Sequence, residues 1–205
     1  MMRGARLAIS LLVLAVTPAT VFAQRGVTRL MTGPDALGRG EMEGRGYITI
    51  EEDIDVFGVY RRGMGGSLDF GVRAGYTGAG DGGLHIGGDL RYGLPVGDMD
   101  VDIALAAGVQ ASFMDLGNLI AVPFGVSIGT DVGNAERSVI LYGLPFLEID
   151  RIDPDDFEAD TELEVGIELG GEVEITRSWI GNAVLSFSSH DDDEVHLALG
   201  IIWRR

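Results

Sequence analysis

Residues 161–175 read TELEVGIELGGEVEI, and apolar side chains occupy every second position. Leu163, Val165, Ile167, Leu169, Val173 and Ile175 alternate with Glu162, Glu164, Gly166, Glu168, Gly170, Glu172 and Glu174. A strand sends successive side chains to opposite faces, so this one has an oily face and an acidic face. At ~3.3 Å per residue it is long enough for a tilted membrane crossing. A helix would spread Leu, Val and Glu around its circumference. Two settings suit such a strand: a membrane barrel with an acidic interior, or a soluble sandwich with one wet face.

The pattern repeats along the chain. Residues 67–77 set Leu68, Phe70, Val72, Ala74 and Tyr76 against Asp69, Gly71, Arg73 and Gly75. Residues 84–94 set Leu84, Ile86, Leu90, Tyr92 and Leu94 against His85, Gly87, Asp89, Arg91 and Gly93. Residues 99–113 set Val101, Ile103, Leu105, Ala107 and Val109 against Asp100, Asp102, Ala104, Ala106, Gly108 and Gln110. Further strands are expected over 119–130, 138–151, 179–189 and 195–203, with weaker ones over 41–50 and 54–62. In 138–151 the apolar face is Ile140, Tyr142, Leu144 and Phe146. The tail Leu147-Glu148-Ile149-Asp150 then changes phase, which predicts a bulge or an exit from the membrane. Pro123 and Pro145 fall inside strands, where proline removes a ladder donor and disturbs the register. The result is about ten antiparallel strands, with eight as the smaller alternative. One continuous oily face over a meander is most simply buried against lipid, as an up-and-down transmembrane β-barrel.

The chain begins MMRGARLAISLLVLAVTPATVFAQ, with Arg3 and Arg6 before an apolar run and small residues at Val21 and Ala23. This predicts a signal peptide over 1–23, cut before Gln24. Residues 24–40 are expected to be a periplasmic lead-in and 41–205 the barrel. There is no cysteine, hence no disulfide framework and no thiolate metal site. The formal net charge of −17 argues against nucleic acid as a partner. The 32 glycines run through the strands as well as the turns, as expected where strands bend around a small closed barrel.

The last strand ends Gly200-Ile201-Ile202-Trp203, followed by Arg204 and Arg205. It resembles the C-terminal signal of bacterial outer-membrane barrels, which has a glycine, two residues, an aromatic and alternating apolar positions before it. The two arginines depart from the usual terminal aromatic. The resemblance is to small outer-membrane barrels of eight to ten strands. It implies a bacterial outer-membrane location, with membrane lipid and the barrel-assembly machinery as partners. It brings no catalytic residues and no cofactor.

On this reading the lumen is lined by Asp69, Arg73, His85, Asp89, Arg91, Asp100, Asp102, Glu162, Glu164, Glu168, Glu172 and Glu174. The lipid side carries Leu163, Val165, Ile167, Leu169, Leu197, Leu199 and Trp203. Buried carboxylates must pair with arginine or meet water. They either knit an ion-pair network or line a narrow cation-preferring passage. The run His190-Asp191-Asp192-Asp193-Glu194 with His196 lacks the glycine and spacing of a calcium loop. It is expected to be a solvated tip, a place for loosely held divalent cations. Ser186, Ser188, Ser189 and His190 make no nucleophile–base pair, and no Ser/His/acid set shares a height on neighbouring strands. No enzyme is expected. Tyr76, Tyr92, Tyr142, Trp179 and Trp203 are candidates for interfacial girdles. Two alternatives remain: a surface binding or adhesion module acting through acidic loops, and a soluble lipocalin-like barrel around a hydrophobic ligand.

Overall fold

The computed structural model describes residues 29–50, 54–78, 82–97, 99–114, 117–134, 136–154, 159–189 and 195–205. The expected signal peptide and the run 190–194 lie outside them. Ten strands follow in order: β1 (Met42–Ile50), β2 (Ile54–Gly65), β3 (Leu68–Thr77), β4 (Gly83–Leu94), β5 (Asp102–Met114), β6 (Gly117–Asp131), β7 (Val139–Pro154), β8 (Asp160–Thr176), β9 (Trp179–Ser188) and β10 (His196–Arg204). Each pairs antiparallel with its sequence neighbours, and β1 pairs with β10. The sheet is a closed barrel without edge strands. Among the described residues, no helix is long and apolar enough to cross a membrane.

The barrel is oily outside and charged inside. In β8, Leu163, Val165, Ile167 and Leu169 are exposed, at 65, 50, 39 and 46%, while Glu164, Glu168 and Glu172 are buried. In β10, Leu199 is exposed and Leu197 and Trp203 half-buried on the outer side, with Ala198 and Ile202 buried between them. This polarity rules out the lipocalin-like alternative, in which the apolar face would turn inward. Only lipid covers such an exterior without cost.

In β7 the burial alternates without interruption from Tyr142 through Leu144, Phe146 and Glu148 to Asp150. The expected phase change does not occur. Three apolar residues face inward, and Glu148 and Asp150 continue the same inner row. Tyr142 accordingly points into the lumen, whereas Tyr76, Tyr92 and Trp179 are exposed on the outside.

The two prolines do not shift the register. The β6–β7 ladder stops at Gly125↔Phe146 and resumes at Ile128↔Gly143 with the same offset. The β5–β6 ladder stops at Ala107↔Phe124 and resumes at Gln110↔Ala121, again unshifted. Each proline removes rungs locally while the rungs on either side hold the alignment.

Inward aromatics sit against glycines on the adjacent strand. Tyr47 faces Gly200, Tyr142 faces Gly170 and Phe146 faces Gly166. A Cβ at any of these glycines would run into the ring. A bulky ring fits inside a narrow barrel by lying across a neighbour that has no side chain.

Candidate functional site: the filled lumen

Residues 29–37 were expected to belong to a lead-in outside the barrel. They lie inside it. Arg29, Leu30, Met31, Thr32 and Leu37 are all buried. The segment enters at the end where β1 begins and β10 ends, here the terminal end. It passes Gly63, whose Cβ would collide with the backbone of Gly38. The N–H of Gly40 donates to the Gly63 carbonyl at 3.0 Å, and the N–H of Gly63 donates to the Glu41 carbonyl at 3.0 Å. From there it climbs until Arg29 meets Glu164 at 2.7 Å.

An extended segment inside a barrel has no strand beside it, so its backbone polar groups need other partners. Charged side chains of the wall supply them. Arg73 donates to the carbonyls of Arg29 and Leu30. Arg45 and the Tyr47 hydroxyl donate to the Met31 carbonyl at 3.4 and 3.2 Å. Arg91 donates to the Gly33 carbonyl at 2.9 Å and to the Thr32 hydroxyl at 3.1 Å. In the other direction, the Met31 N–H donates to Glu168 Oε2 at 2.9 Å, and the Leu37 N–H to Asp69 Oδ2 at 2.8 Å.

The same side chains pair with one another. Arg91 meets Asp69 at 2.8 Å, Arg61 bridges Asp69 and Asp89, and Arg73 lies 3.7 Å from Asp89. Arg45 joins Glu43 to Glu172, the latter at 3.3 Å. Arg204 ties Glu43 to Asp35 of the segment, both at 2.9 Å. Burying Glu43, Asp69, Asp89, Glu164 and Glu172 is tolerable because each has a guanidinium beside it. An arginine can serve a carboxylate and a carbonyl together because its planar fork carries five donors.

Of the residues read as lumenal, Asp69, Arg73, His85, Asp89, Arg91, Glu164, Glu168 and Glu172 are buried inside. Glu162 and Glu174 are half-buried, and Asp100 and Asp102 are exposed. The strand phase is right for Asp102 and Glu174, but they sit where the barrel opens to solvent. They line a recess of about 420 Å³ at the terminal end, with Asp35, Glu172, Arg177 and Arg204. Asp100 lies before β5 begins, in a bend, and is not lumenal.

Several interior charges were not read from the sequence: Glu43, Arg45, Asp55, Arg61, Glu148 and Asp150. The i, i+2 spacing of Glu43 with Arg45 was a usable signal, as was that of Glu148 with Asp150. Glu148, Asp150 and Glu164 offer carboxylate oxygens within 4.8 Å of one another. Hard cations favour such a set, and the Arg29 guanidinium already brings positive charge to it.

The ladder also corrects the reading of the serines and histidines. Glu168 lies opposite Ser186, and Ser186 opposite His196, in one inward row of buried residues. Ser186 Oγ has no hydrogen-bond partner, so the row is not a linked nucleophile and base. Elsewhere His85 Nδ1 lies 3.0 Å from Ser112 Oγ.

No family model matches the chain, and no curated protein matches it. Solved structures do. A bacterial polysaccharide outer membrane secretin aligns at TM-score 0.50 and 8% identity, over 83% of this chain and 67% of that one. The N-terminal β-barrel domain of Pseudomonas aeruginosa OprF aligns at TM-score 0.41 and 11% identity, over 82% of this chain and all 100% of that one. The KdgM porin aligns at TM-score 0.44 and 4% identity, over 78% and 98%. The chain has the fold of an outer-membrane β-barrel. At such identities the likeness speaks for the fold alone. The lumenal segment and its charged clasp are features of this barrel's own residues.

Proposed function

We propose that the protein resides in a bacterial outer membrane as a barrel held shut by its own N-terminal segment, a structural envelope component at rest. The observation that carries this is the clasp on residues 29–37: Arg45, Arg73, Arg91, Asp69 and Glu168 all bind the segment's backbone. Lipid covers the outer face, and the barrel-assembly machinery is the route by which such a chain reaches it. The role is non-enzymatic and needs no cofactor.

Withdrawal of the segment would uncover Glu164, Glu168, Glu172 and Asp89, an acidic path that favours cations. The acidic recess at the terminal end would feed it. Planar-bilayer recording tests this reading. The full chain is expected to be silent, and Glu168→Ala and Arg73→Ala are expected to show brief cation-selective openings. A large steady conductance from the full chain would contradict the closed state. Silence in both variants would remove the passage and leave the structural role.

A further inference from the structure

The outer wall is not uniformly convex. A groove of about 700 Å³ crosses it, lined almost wholly by apolar side chains of β3 to β8. Two lateral rows form its banks. One runs Val165, Leu147, Phe124, Ala107, Leu90, and the other Pro145, Val126, Leu105, Tyr92. Ala107 and Pro145 are the short members, and the floor dips at them.

Two independent features coincide with this dip. The first is the interrupted ladder: Val126 and Ser127 lack their rungs to Pro145 and Leu144. Proline has no N–H to strand in hydrocarbon, so the wall tolerates missing rungs there better than elsewhere. The second lies on the inner side. Ala106 and Phe146 point into the lumen yet also line the groove. They pack with Leu144 and with Leu30 of the lumenal segment, the smaller of two apolar clusters inside the barrel among the described residues. The wall is thus thin and apolar through its depth, and continuous with the lipid-covered belt.

We propose that this groove is a binding site for one acyl chain of a bilayer phospholipid, seated over Ala107 and Pro145 against β5, β6 and β7. Its volume falls within the ~300–1,000 Å³ range of small-ligand sites. The proposal rests on the membrane placement above. The site adds a fixed lipid to what would otherwise be an exchanging annulus.

The full chain in proteoliposomes, with phosphatidylethanolamine carrying a diazirine in its acyl chain, tests it. After irradiation, adducts are mapped by peptide mass spectrometry. Adducts at 105–107, 124–126 and 145–147 are expected about threefold above those at Leu199 and Ile201 of β10, a modest preference in free-energy terms. Ala107→Trp should bring them to the β10 level, and Leu199→Trp should not. Heat-modifiable migration reports folding, and Val126→Phe serves as a second filling variant. Even labelling around the belt would overturn the site alone, as would enrichment unmoved by both filling variants. Absence of adducts from the whole belt would overturn the membrane placement and the site with it.

Discussion

The backbone N–H of Met31 donates to Glu168 Oε2 across 2.9 Å, joining the lumenal segment to the middle of β8. Glu168 belongs to the alternating stretch that first marks the chain as a barrel, and its carboxylate faces inward. Removing the acceptor leaves a buried N–H unpaired, which costs about 1–3 kcal/mol. Glu168→Ala should therefore raise the population of the displaced segment roughly 5- to 150-fold. Single-channel open probability measures that rise. An unchanged probability would mean that the segment does not depend on this contact.

Arg73 serves the Arg29 and Leu30 carbonyls and lies beside Asp89. Losing one partner of a buried charge network costs about 3–5 kcal/mol. Asp89 keeps Arg61, so Arg73→Ala should fall at the lower end of that range. Urea unfolding in lipid vesicles, followed by tryptophan fluorescence, gives the value. Arg73→Lys should recover only part of the loss, because one ammonium cannot span two carbonyls and a carboxylate in the same way.

Gly170 and Gly166 leave room for the rings of Tyr142 and Phe146. Gly170→Val should destabilise the barrel by about 1–3 kcal/mol through overpacking. Tyr142→Ala in the same chain should relieve part of this, since it removes the ring that collides. A double-mutant cycle of unfolding midpoints measures the coupling. Strict additivity would show that the ring and the glycine do not share the space.

The lipid face predicts a depth dependence. Leu147 lies near the middle of β7, and Ile175 is exposed at the end of β8 beside the chain termini. Leu147→Arg should cost about 2–4 kcal/mol, and Ile175→Arg about 0–1. Equal costs would mean that the apolar belt is not centred where the strands place it.

Most of the barrel was legible from alternation alone. β3, β4 and β8 obey polar-in, apolar-out, so their faces follow from the period of two. β7 misleads because its inner face carries Tyr142, Leu144 and Phe146. They are apolar for a local reason: all three lie over glycines, and Leu144 and Phe146 meet Leu30. The lumenal segment gave little signal because most of its hydrogen bonds to the wall run through its backbone. Carbonyls and N–H groups are the same for every sequence, and the side-chain pairs of Arg29 and Asp35 depend on which wall residues they reach. The row Glu168, Ser186 and His196 was hidden for another reason. Lateral neighbours depend on register between strands, which single-strand alternation does not fix.

The chain has no cysteine, so Met31→Cys places a single thiol at the heart of the filled lumen. A membrane-impermeant maleimide, added to proteoliposomes, reports its access to water. The account predicts labelling much slower than at Val132→Cys, an exposed position in the β6–β7 turn, and faster labelling once Glu168→Ala is added. Labelling of the two thiols at the same rate in the otherwise unaltered chain would show that the segment is not inside the barrel.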